Sequence, residues 1–102
     1  MKIYLISDNV DTKAGMRLAG IEGVVLHEKN EVEAKLRELI NDEEIGVILM
    51  TGKLMTLCSD LVYKYKRDLR RPLISQIPDR HGEGELSDAV MKYIREAIGL
   101  SI

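Results

Sequence analysis

The chain has 102 residues, 31% of them charged and 45% hydrophobic, and a net charge of -2. That length holds one domain with one core, and the slight acid excess argues against a nucleic-acid binder, which carries a basic surplus. A single cysteine rules out an internal disulfide, and no apolar run approaches the ~18 residues of a membrane helix, so no direct membrane insertion is expected.

Met1-Lys2 leads straight into Ile3-Tyr4-Leu5-Ile6, a run too short for an export signal and closely followed by Asp8, so a cytoplasmic location is expected. Without polar alternation, that run reads as a strand buried on both faces. Asp11 to Ala19 is expected as a short helix, capped by Asp11 or Thr12 and stopped at Gly20. Val24-Val25-Leu26 reads as a short strand at a sheet edge. From Asn30, the apolar residues Val32, Leu36, Leu39 and Ile40 follow the spacing of one helix face, with Asn30 and Glu33 placed as a capping box. Ile45 to Met50 is a third apolar run. Lys53 to Arg67 predicts one helix with Leu54, Leu57, Cys58, Leu61, Val62 and Tyr65 on its stripe. Leu73 to Ile77 is a fourth strand bounded by Pro72 and Pro78, neither of which suits a central strand position. Glu85 to Ile98 predicts a last helix, with Leu86, Val90, Tyr93 and Ile94 among its apolar residues and Gly99 as its C-cap.

Strand and helix thus alternate four times, which implies right-handed crossovers and a parallel sheet. The expected fold class is α/β, a four-stranded parallel sheet in the flavodoxin-like order 2-1-3-4. One domain is expected over 1–102. It comprises a sheet core with its helices in 1–78, a polar glycine-bearing hinge loop in 79–84 and a C-terminal helical segment in 85–102.

In such sheets ligands bind at the carboxyl ends of the strands. After strand 1 come Ser7-Asp8-Asn9-Val10-Asp11-Thr12, and two acids there would suit the Mg²⁺ site of a phosphoacceptor receiver domain. That chemistry also needs an Asp at the end of strand 3, where the chain has Met50-Thr51-Gly52-Lys53. The plainer reading is that Asp8 shapes the turn and Asp11 caps helix 1. No G-x-G-x-x-G or G-x-x-x-x-G-K-[ST] phosphate loop occurs, and Gly82-Glu83-Gly84 sets an acid where phosphate would approach. Cys58 lies on an apolar stripe and reads as a small buried hydrophobe. His27 and His81 share no ligand spacing. No catalytic residue, cofactor site or metal site is assigned, and four tyrosines as the only aromatics leave little for base stacking, so no nucleic-acid partner is expected. Lys64, Lys66, Arg67, Arg70 and Arg71 are opposed nearby only by Asp68. They suit a solvated helix end or an electrostatic contact with an acidic partner. Met55, Tyr63 and Met91 fall off the stripes of their helices, and exposed Met and Tyr are enriched at interfaces.

Three segments together resemble a known family. Asp8-x-x-Asp11-Thr12 followed by Gly15-Met16-Arg17-Leu18-Ala19-Gly20-Ile21 is similar to its opening motif. Gly46-Val47-Ile48-Leu49-Met50-Thr51 resembles its third strand, and Pro72-x-Ile74-x-x-Ile77-Pro78 its fourth. The family is the F subunit of the V-type and archaeal A-type rotary ATPases, and the likeness runs from about residue 2 to the C-terminus. Ser7 stands where the family often has Gly, and Gly52 where it often has an acid.

The resemblance implies a non-catalytic rotor component in the soluble sector, peripheral to the membrane. Its implied partners are the long coiled-coil D subunit of the central stalk and the A3B3 catalytic hexamer, with torque passing to or from the membrane ring. It also implies a mobile C-terminal helical segment that modulates ATP hydrolysis. A docking surface for the D subunit is expected at Met91, Tyr93, Arg95 and Ile98, with Arg80 and His81 at the hinge. The competing expectation is a phosphorylation-independent, receiver-like signalling or binding module.

Overall fold

The computed structural model describes residues 1–77. Four strands, β1 (Lys2–Ser7), β2 (Glu22–Val25), β3 (Ile45–Met50) and β4 (Leu73–Gln76), form one sheet in the order β2-β1-β3-β4. All pairings are parallel, as the alternation of strands and helices requires. The connections are α1 (Val10–Leu18), α2 (Lys29–Ile40), and the consecutive helices α3 (Gly52–Leu57) and α4 (Ser59–Asp68). The expected α/β fold and its 2-1-3-4 order are the observed ones.

Every residue of β3 is buried, whereas the outer strands β2 and β4 are only partly so. That gradient is what a parallel sheet covered on both faces produces. Because successive side chains point to opposite faces, β1 and β3 feed two cores. On one face Ile6, Ile48 and Met50 pack with Val32, Leu36 and Leu39 of α2, Leu54 of α3, Val62 of α4 and Ile74 of β4. On the other, Leu5, Val47 and Leu49 pack with Met16 of α1, Ile21 and Ile77.

Several element ends differ from the sequence expectation. The cap of α1 is Asn9, whose side chain accepts a hydrogen bond from the Thr12 amide at 2.7 Å, rather than Asp11 or Thr12. Asn9 takes extended backbone angles (φ -145°, ψ 151°), the geometry a cap needs, while Thr12 is already inside the helix and buried. α2 starts at Lys29, before Asn30, and the Val32 amide bonds the Glu28 carbonyl at 3.0 Å. The expected stripe of Val32, Leu36 and Leu39 is buried all the same.

The single helix expected over 53–67 is two helices that meet at Cys58 (φ -113°, ψ 32°). Ser59 and Asp60 open α4, and short polar side chains of this kind favour helix starts over helix interiors. The buried row of Leu54, Cys58 and Val62 continues across the break, but Leu57 is 39% exposed. β2 begins at Glu22, two residues before the expected start. Ile77, expected in the fourth strand, follows its end yet still donates to the Met50 carbonyl at 2.9 Å.

Candidate functional site

The carboxyl edge of the sheet is where α/β folds place ligands. Here the neighbouring ends of β1 and β3 are tied to each other. The Thr51 amide donates to the Ile6 carbonyl at 3.2 Å, and the Asp8 amide donates to the Thr51 hydroxyl at 3.2 Å. The buried Ser7 hydroxyl donates to the Asn9 carbonyl at 2.8 Å and accepts from the Asn9 amide at 3.0 Å. The Asn9 side-chain amide in turn donates to Asp8 at 3.1 Å. Ser7 therefore brings a hydroxyl that a glycine in its place would lack, and Thr51 uses the position of a receiver's acceptor Asp to lock the first turn.

Partial burial pushes the Asp8 carboxyl up, but hydrogen bonds from Thr51 and Asn9, with the charge of Lys53, outweigh it and hold the group below its ordinary value. Asp8 is thus a carboxylate at neutral pH. It borders an open cleft of about 450 Å³ with His27, Lys53, Leu54, Thr56 and Leu57. Among the described residues, no three His, Cys, Asp or Glu side chains gather as they would around a metal ion. Asp11 sits in the first turn of α1, exposed, where the positive helix end favours an acid.

Cys58 is 1% exposed, and its thiol lies 3.9 Å from the Lys29 carbonyl. Burial, with the nearby Glu33, raises its pKa and keeps it a thiol, in line with a packing role.

The basic cluster divides. Arg67 pairs with Asp68, its Nε 2.8 Å from Oδ1, and lies over the Tyr63 ring. Arg71 donates to the Ile45 carbonyl at 2.8 Å and the Asp42 carbonyl at 3.3 Å, fastening the start of β4 to the turn before β3. Lys64, Lys66 and Arg70 reach solvent. Of the off-stripe residues, Met55 packs half-buried against the core and Tyr63 is 67% exposed. Arg80, His81, Met91, Tyr93, Arg95 and Ile98, the residues expected at the contact with the D subunit, lie outside the described residues, as do the hinge loop 79–84 and the helix expected over Glu85 to Ile98.

α1 stops at Gly20 as expected, and its outer side supplies what the sequence did not reveal. Its helix ends in a paired cap: the Gly20 amide bonds the Arg17 carbonyl at 2.9 Å and the Ile21 amide bonds the Met16 carbonyl at 3.0 Å. Gly20 adopts φ 85°, a left-handed conformation that glycine takes without a side-chain penalty. Ile21 then packs in the same cluster as Met16. The Arg17-Leu18-Ala19-Gly20-Ile21 sequence is therefore a helix stop that aims β2 at the sheet edge. It also leaves Leu18 87% exposed and Val10, two turns earlier, 69% exposed. Their i, i+8 spacing was the available signal, hidden because neither residue falls on the buried stripe.

Fold and carboxyl edge together define a small parallel α/β domain whose strand-end turns are closed by their own side chains. Residues 3–94 match the family described as ATP synthase (F/14-kDa) subunit, and the chain belongs to that family. It is 36% identical over 107 residues to the F subunit of the A-type ATP synthase of Thermococcus sibiricus, covering 100% of this chain and 98% of that one. It is likewise 36% identical over 104 residues to that of Methanocaldococcus jannaschii, covering 100% and 99%. The counterpart in Pyrococcus abyssi is 31% identical over 107 residues, covering 100% and 98%. No helix among the described residues is long and apolar enough to cross a membrane.

Proposed function

We propose that this chain is a non-catalytic rotor component of the central stalk. In that role it binds the coiled-coil D subunit and couples ATP hydrolysis or synthesis in A3B3 to ion transport from the soluble sector of the complex. The full-length likeness to the F subunits of A-type ATP synthases carries the reading. The closed turn of Ser7, Asp8, Asn9 and Thr51 is consistent with it, because a rotor part needs a rigid body that carries torque rather than a reacting group.

Residues 79–84 act as a hinge in this proposal, and the segment after it docks on the D subunit through Met91, Tyr93, Arg95 and Ile98, with Arg80 and His81 at its base. Two positions of that segment, each with its own contacts, would set the rate of ATP hydrolysis. The test is co-purification of this chain with its cognate D subunit, followed by ATPase assay of A3B3D with and without it. A 1:1 complex that changes the hydrolysis rate is the expected result. Failure to bind the D subunit would overturn the reading.

A further inference from the structure

We draw no further inference here: the strongest candidate, the exposed Val10-Ala14-Leu18 row on the outer side of α1, is flanked by the opposing charges of Lys13 and Arg17 and of Asp11 and Glu22, and nothing in the structure shows what covers it.

Discussion

A β-carbon at Gly23 would lie 2.7 Å from Cβ of Leu5 and 2.9 Å from its carbonyl oxygen. The obstacle is the facing backbone of β1, where Gly23 and Leu5 are register partners, so no side-chain rotation relieves it. Gly23→Ala is expected to cost about 1–3 kcal/mol in chemical denaturation, the range for overpacking a tight site. An unchanged unfolding midpoint would show that β2 can shift outward at no cost. Asp8 makes a prediction of the opposite kind, about charge rather than space. Its pKa is depressed in the folded chain, so its contribution to stability is present above the ordinary carboxyl value of 3.8 and is lost as pH falls through the lower folded value. Asp8→Asn should therefore flatten the acid limb of the stability curve below about pH 4 and leave its slope near pH 7 unchanged. Thermal melts of the two proteins across that range decide it.

At the scale of elements, α1 depends on one side chain at its start and one glycine at its end. Asn9→Ala removes the 2.7 Å bond to the Thr12 amide and is expected to cost about 1 kcal/mol, with Asn9→Ser retaining most of the cap. Equal stability of Asn9→Ala and the wild type would mean that water or Asp11 satisfies the helix start instead. The elements also show why some of the fold was legible in the sequence and some was not. Strands such as Ile45–Met50 and the stripe of Val32, Leu36 and Leu39 are set by burial, which leaves a periodic mark. The break at Cys58 left no such mark, because Leu54, Cys58 and Val62 keep helical spacing straight through it. The start of α1 slipped because Asn9, Asp11 and Thr12 are all good caps and backbone angles choose among them, whereas α2 starts behind Glu28, which makes no side-chain cap hydrogen bond, so no residue type marked that end. The exposed side of α1 was missed for a related reason: periodicity finds the face that packs inward, and an outward apolar row is its complement.

At the scale of the whole molecule, the acidic balance of the chain coexists with a basic end at α4 and β4. Arg67 and Arg71 are there held by Asp68 and by the backbone, while Lys64, Lys66 and Arg70 reach solvent. This distribution suits a part that must find its place among larger subunits, since long-range charge sets orientation and association rate more than final affinity. In the proposed role this protein turns with the central stalk, and a rotation assay reads that motion. Cys58 is buried and the only cysteine, so Glu31→Cys on the exposed side of α2 gives a selective attachment point. A bead fixed there, on A3B3D with the catalytic hexamer immobilised, is predicted to rotate stepwise in one direction when ATP is added. A bead that stays still while one attached to the D subunit rotates would contradict the account.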